Sequence, residues 1–281
     1  MDGLLLDTED IYTECTNIML KKFGKPTLPW KIKAQLQGRP GPEAAKIFHA
    51  WAHLPIDPAD YTIHLAKLQA QKFPACRPLP GVPQLLSHLA DPRTRMHIAL
   101  ATSSHAINYK IKTAHQQDLF QVFPPSQVVL GDDPRIPKGK GKPAPDIYLL
   151  ALETINAAIR ARNAKINGVG AFEREIAPEE CLVFEDSVPG VEAGRRAGMR
   201  VVWVPHKMLL KEYLGREKEV LAGLTGAQKD DDEEKIMKEN CANGRVKGKP
   251  GQIDDGWGEF RNSLERFDYA KYGIPSIENR I

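Results

Sequence analysis

The sequence has no long apolar run. The longest uninterrupted one, Ile147–Leu152, falls far short of the ~18–20 residues that a membrane-spanning helix needs, which excludes a transmembrane helix. It also lacks a secretory signal: the chain opens acidic, Met1-Asp2-Gly3-Leu4-Leu5-Leu6-Asp7, where a signal would be basic. The expectation is a cytoplasmic protein with no membrane partner. Cysteine is scarce and scattered. Cys15, Cys76, Cys181 and Cys241 form no C-x-x-C pair and have no histidine at ligand spacing, so they read as reduced thiols rather than disulfides or a zinc site. A dominant charge is missing too. The balance of 39 basic against 36 acidic side chains leaves +3, too little to argue for nucleic acid. What remains is an ordinary globular composition, 42% apolar and 27% charged over 281 residues, enough for one large or two modest domains.

Hydrophobic periodicity divides the chain. From Glu9 to Phe23, Ile11, Cys15, Ile18, Met19 and Phe23 share a helical stripe, with Asp7 and Thr8 as caps and Gly24 and Pro26 as stops. Helical patterns continue over Lys31–Leu36, Pro42–His53 and Pro58–Phe73, with no strand between Gly3 and Arg77. The punctuated hinge Pro78-Leu79-Pro80-Gly81 changes the texture. After it, strands are expected at Met96–Ala101, Gln127–Leu130, Cys181–Phe184 and Val201–Val204. Helices alternate with them at Gln84–Ala90, Asn108–His115, Asp146–Ile159 and Pro189–Ala197. Short apolar strands alternating with helices imply βαβ units and a parallel sheet covered on both faces. Arg160–Glu175 reads as a surface insertion. Beyond Gly215 the chain turns polar, with the solvated runs Asp230–Glu234 and Arg245–Pro250, and Trp257, Phe260, Leu264 and Phe267 are placed to anchor a final helix.

Four segments carry chemistry. Asp2-Gly3-Leu4-Leu5-Leu6-Asp7-Thr8-Glu9 begins the chain. Ala99-Leu100-Ala101-Thr102-Ser103-Ser104 ends an apolar strand in hydroxyls, and Gly141-Lys142-Pro143-Ala144-Pro145-Asp146 holds a lysine before a helix. Leu182-Val183-Phe184-Glu185-Asp186-Ser187-Val188-Pro189-Gly190 delivers two adjacent carboxylates. Singly, each has a bland explanation: a helix cap, a solvated lysine, carboxylates favouring a helix dipole. In this order they suit phosphoryl transfer. Strand-end carboxylates can hold Mg²⁺, a hard cation that keeps several waters. Thr102 and the N–H groups after it offer an anion cradle, Lys142 can neutralise phosphate charge, and Asp2 can exchange a proton with a leaving oxygen and water.

These segments resemble the haloacid dehalogenase superfamily of phosphohydrolases, from Asp2 to about Pro205. The likeness is strongest in DGLLLDTE, GKPAPD and FEDSVPGVEAGRRAGM. The subgroup is the one with a helical cap, alongside β-phosphoglucomutase, sugar phosphatases and pseudouridine monophosphatase. The resemblance implies a Rossmann-like parallel core (residues 1–9 and 77–215), an inserted α-helical cap (10–76) and a polar extension (216–281). It also implies Asp2 as acid/base, Thr102, Ser103 and Lys142 as phosphate ligands, and a Mg²⁺ site from Asp2, Glu185 and Asp186. In that site Glu185 supports the metal through water. Gly38 and Arg39 fall where the subgroup's cap loop meets substrate.

The family's first motif is D-x-D-G, whose first aspartate is the nucleophile. Met1 takes the x position, so the sequence begins one residue after it. Asp7 lies five residues beyond Asp2, at the position of a later structural aspartate. The apolar strand before the nucleophile sits mid-sheet in the family. About four large apolar residues there contribute ~6–12 kcal/mol, against a total stability of about 5–15 kcal/mol. A truncated first strand, from a misplaced start, is therefore expected in preference to an evolved dead enzyme. The function expected is Mg²⁺-dependent hydrolysis of a small phosphorylated metabolite such as a sugar, polyol or nucleoside monophosphate. It would proceed by a monomer through an aspartyl-phosphate in the full-length form. The alternatives are an inactive phosphate-binding or regulatory protein, or a sugar-phosphate mutase.

Overall fold

The helical stripes of the first quarter fold as four helices: α1 (Thr8–Lys22), α2 (Trp30–Leu36), α3 (Gly41–Ala52) and α4 (Pro58–Lys72). The computed structural model describes residues 1–165, 172–225 and 249–277. Pro42 in the first turn of α3 gives up an N–H that no helix bond would use. Asp57 caps α4 by accepting from Ala59 N at 2.8 Å. Their apolar faces converge on Met19, Leu20, Phe48, Ala52 and Tyr61, a core separate from the rest of the molecule. This is the helical cap.

The chain then crosses Pro78–Gly81. Gly81 adopts φ 85°, and a Cβ there would lie 2.3 Å from the backbone at Leu264, so the hinge needs glycine twice over. The α/β part runs α5 (Val82–Ala90), β1 (Leu100–Ala101), α6 (Ala106–Thr113), α7 (Gln117–Phe120), β2 (Val128–Val129), α8 (Asp146–Asn163), β3 (Leu182–Glu185), α9 (Val188–Arg196), β4 (Arg200–Trp203), α10 (Lys207–Glu212) and α11 (Glu217–Ala222). The strand β5 (Gly258–Phe260) comes last.

All strand pairs are parallel, as alternating helices and strands require. They form two sheets, however: β1-β2, and β3-β4-β5. Met96–Ala101, expected as a strand throughout, pairs only at Leu100 and Ala101, because the flank before them has no strand beside it. Near the start of the chain there are only isolated bridges, Asp2 with Leu6 and Leu6 with Pro78.

Two further expectations change. The side chain of Asp7 does not cap α1; its Oδ1 accepts from Arg77 N at 2.6 Å, stitching the chain start to the hinge. The aromatic tail forms no final helix. Gly258–Phe260 adds in parallel to β4, Phe260 meets the Trp203 ring at 5.9 Å, and Leu264 and Phe267 enter the core. Cys15, Cys76 and Cys181 are free thiols. Cys241, Asp230–Glu234, most of Arg245–Pro250 and the middle of the Arg160–Glu175 insertion lie outside the described residues. Among the described residues no helix is long and apolar enough to cross a membrane.

Candidate active site

β3 ends in Glu185 and Asp186, and the Ser187 side chain caps α9 by accepting from Gly190 N at 3.2 Å. This strand–cap–helix junction buries both carboxylates. Glu185 is fully engaged. Its Oε1 accepts from Lys142 and from the Tyr148 hydroxyl, and its Oε2 from the N–H groups of Asp186 and Ser187, both at 3.1 Å, and from Ser187 Oγ at 3.0 Å. Burial alone would favour the neutral acid, yet Lys142 and these donors outweigh it and hold the carboxyl below its usual range. Glu185 therefore orients Lys142 and the first turn of α9. A Cβ on Gly190 would strike its carboxylate at 2.1 Å, so a glycine is required there.

Asp186 stands in the opposite situation. Burial, then the charges of Glu185 and Glu9, raise its pKa well above normal. Its Oδ2 accepts from Gln37 Nε2 of the cap at 2.6 Å. The other amide atom, Gln37 Oε1, is buried without a hydrogen-bond partner. A crowded carboxylate beside an orphaned carbonyl oxygen is a set of oxygen donors that a hard cation satisfies. No group of three or more His, Cys, Asp or Glu with ligating geometry occurs among the described residues. Mg²⁺ needs few protein ligands, so Asp186 and Gln37 fit it, with waters completing the shell.

Asp2 sits on a network that its sequence neighbours do not reveal. Lys112, fully buried on α6, donates to Asp2 Oδ1 at 2.6 Å, to Tyr12 Oη at 2.8 Å and to Ser104 Oγ at 2.7 Å. Thr8 Oγ1 donates to the same Asp2 oxygen at 2.7 Å. Burial pushes the Asp2 carboxyl up, but Lys112 outweighs it and the net pKa is lowered. Desolvation and the neighbouring Asp2 charge push the Tyr12 hydroxyl up to about 12. The Met1 amine is buried near Asp2, Lys142, Asp186 and Glu185, and desolvation lowers its pKa.

The remaining expected residues close the circle. Thr102 is buried at the end of β1, and its Oγ1 accepts from Ser104 N at 3.2 Å. Ser103 Oγ donates to the Gly38 carbonyl at 3.2 Å. Gly38 has φ 79°, and a Cβ there would lie 2.1 Å from Ser187 Oγ, so the cap loop presses directly on the core. Arg39 Nε donates to Gln35 O at 2.8 Å within the cap. The structure thus brings Asp2, Thr102, Ser103, Lys142, Glu185, Asp186 and Gly38 together at the strand C-termini, while Arg39 bonds within the cap and sets its charge near Tyr213 of the α/β part. Sequence reasoning missed Lys112, Gln37 and Tyr148.

The model for haloacid dehalogenase-like hydrolases matches residues 1–204. The chain belongs to this family. It is 38% identical over 274 residues to a Saccharomyces cerevisiae protein named "probable pseudouridine-5'-phosphatase", covering 98% of this chain and 94% of that one. It is 34% identical over 226 residues to an Arabidopsis thaliana (DL)-glycerol-3-phosphatase, covering 80% and 68%. A hydrolase of the same family from Entamoeba histolytica shares the fold, with a TM-score of 0.56 at 20% identity over 76% of this chain and 86% of that one. As a haloacid dehalogenase-type phosphatase, the protein is a phosphoric monoester hydrolase whose relatives act on small phosphorylated metabolites.

Proposed function

We propose that the cleft hydrolyses the phosphate monoester of a sugar, polyol or nucleoside with Mg²⁺, through an aspartyl-phosphate formed on an aspartate two positions before Asp2. The observation that supports this reading is that Asp2, Thr102, Lys142 and Asp186 lie at the strand C-termini, the last three of them buried. The names of the yeast and plant relatives support nucleoside and polyol phosphates as the substrate class. The protein acts as a cytoplasmic monomer with residues 10–76 as its cap.

Each residue has a task that follows from its contacts. Thr102 Oγ1 and the N–H groups beyond it receive phosphate oxygens, and Lys142, aimed by Glu185, balances their charge. Asp186 and Gln37 would hold Mg²⁺, which would supply further neutralisation of the phosphoryl group. Attack by the nucleophilic carboxylate breaks the ester P–O bond, and the Asp2 carboxylate, charged at rest beside Lys112, relays a proton from solvent to the departing alkoxide. Water then attacks the acyl phosphate and returns a proton to Asp2. Lys112 and Thr8 both bond one Asp2 oxygen, which fixes the carboxyl while its second oxygen takes neither donor.

The second reading is an inactive phosphate-binding or regulatory protein. Without a nucleophile the same cleft binds phosphate and turns nothing over. The two readings separate in an assay of phosphate release from pseudouridine 5'-phosphate and glycerol 3-phosphate with Mg²⁺. The 281-residue chain is expected to show no turnover, since losing a covalent nucleophile costs about six decades. Adding an apolar strand that ends in aspartate directly before Met1 restores it, and asparagine at the added position abolishes it. Turnover by the unextended chain that disappears in Asp2→Asn would overturn the assignment of Asp2 as acid/base.

A further inference from the structure

Two of the carboxylates at the strand C-termini have a cation of their own: Asp2 pairs with Lys112 and Glu185 with Lys142. Among the described residues Asp186 has no ion pair, and its side chain meets the neutral Gln37 amide instead. A fourth carboxylate faces Asp186 from the cap and has no part in the chemistry derived so far. Glu9 lies in the first turn of α1, its side chain 12% exposed. A Cβ built on Gly3 would fall 2.3 Å from Asp186 Oδ2 and 2.7 Å from Glu9 Cγ, so the two side chains flank a single point. The Glu9 charge is among those that push the Asp186 carboxyl up.

Neither ordinary use of a helix-start glutamate accounts for this placement. Asp10, next in the same turn and 81% exposed, serves the dipole of α1 from solvent, where no desolvation opposes it. The ion pair with Lys33 is loose. The buried Lys33 ammonium of α2 donates to the Glu9 carbonyl oxygen at 2.6 Å and to Thr13 Oγ1, and it lies 4.6 Å from the centre of the Trp30 ring. The Glu9 carboxylate stands off at 3.2 Å and meets Lys33 through Oε2. Lys33 is thus seated by backbone, hydroxyl and ring, and the Glu9 carboxylate keeps charge to offer elsewhere.

Gln37 supplies an independent observation. It is buried, its Nε2 donates to Asp186 Oδ2, and its Oε1 has no donor among the described residues. An unsatisfied carbonyl oxygen beside two facing carboxylates is rich in acceptors and poor in donors, which a hydrated hard cation corrects. Direct ligation by several acids does not occur, since no three acidic groups among the described residues have ligating geometry. Mg²⁺ dehydrates reluctantly and keeps several waters, each with protons to donate outward. A carboxylate beside the ion, out of ligating reach, meets those waters.

We propose that Glu9 binds the cation through water: it accepts hydrogen bonds from water ligands of the Mg²⁺ that Asp186 and Gln37 would hold. The inference rests on the metal site of the proposed function and adds to it a carboxylate from the first cap helix. Glu9 touches no reacting atom. It is a positioning residue, orienting the waters of the ion and adding a negative charge that favours the ion over an empty site.

The test is calorimetric titration of the 281-residue chain, as wild type and as Glu9→Gln, with Mg²⁺ alone and with inorganic phosphate in EDTA. Glu9→Gln should weaken Mg²⁺ binding about tenfold to a hundredfold, the usual loss when a group that hydrogen-bonds metal ligands is removed. Phosphate binding in EDTA should stay the same or tighten, because the substitution takes a negative charge away from the cleft. A purely structural glutamate would loosen the cleft and weaken both ligands. If Glu9→Gln does not melt cooperatively, Glu9→Asp replaces it. That variant keeps the charge but draws it back by one methylene, so Mg²⁺ binding should weaken and phosphate binding should not. Equal Mg²⁺ affinity in wild type and variant overturns this inference alone, as does parallel weakening of both ligands. A wild type that binds no Mg²⁺ overturns the metal site itself, and the inference with it.

Discussion

At the scale of single residues, the site is a set of buried charges balanced in pairs, and their balance dictates stability. Lys112→Met leaves the partly buried Asp2 carboxylate without its cation, at a cost of about 2–3 kcal/mol at pH 7. The folded pKa of Asp2 is depressed. The stability it brings is therefore present above the unfolded carboxyl pKa, about 3.9, and is lost as pH falls through the folded value. The gap between wild type and Lys112→Met should close below about pH 4, which urea melts at pH 7 and pH 3.5 will show. Asp186 has the reverse sign. Its folded pKa is raised, so ionising it penalises the fold increasingly as pH rises above about 4. In EDTA at pH 7.5, Asp186→Asn should melt at least ~2 °C higher than wild type, and Mg²⁺ should raise the Tm of wild type and not of the variant. Lys142, Glu185 and Asp186 were picked out by the order of the four segments rather than by any one of them, and the structure joins two of them in the Lys142–Glu185 ion pair. Lys112 was not picked out. On α6 it points inward while Ile107 is largely exposed, the inverse of what amphipathic patterning predicts. Only the partly buried carboxylate of Asp2, brought close by the fold, explains it.

Helices and strands differed in how plainly they could be read. The cap helices carry clear stops and caps, and their bounds follow the periodic apolar residues closely. Strands depend on partners, and partners come from far along the chain. Met96–Ala101 has an unbroken strand pattern but pairs only over Leu100–Ala101, the length that β2 offers. The polar tail was the larger surprise. Its aromatic residues at roughly helical spacing form β5 and a loop that packs on the sheet, where Phe267 touches the Phe184 ring at 5.2 Å and the Tyr272 ring at 5.2 Å. A helix would have placed those rings on one stripe, whereas the edge of β4 offered open backbone groups that a short strand satisfies. Phe267→Ala should cost about 3–5 kcal/mol by leaving a cavity in the main core. Chemical denaturation of the full chain measures this, and a loss under 1 kcal/mol would show that the tail is only loosely applied.

For the whole molecule, the account rests on one claim. The cap loop at Gln37–Gly38, the hydroxyls after β1, Lys142 and the carboxylates after β3 form a single anion- and cation-binding cleft. Folding brings the four segments together because each lies at a strand C-terminus or on the cap loop above it. Under the proposed function that arrangement binds phosphate whether or not a nucleophile is present. The direct measurement is calorimetric titration of the 281-residue chain with inorganic phosphate, with and without Mg²⁺. Saturable binding strengthened by Mg²⁺ is expected. Lys142→Met should weaken it about tenfold to a hundredfold, the loss of one charge-assisted contact, and Asp186→Asn should remove the Mg²⁺ effect. Phosphate binding that neither substitution changes would contradict the claim.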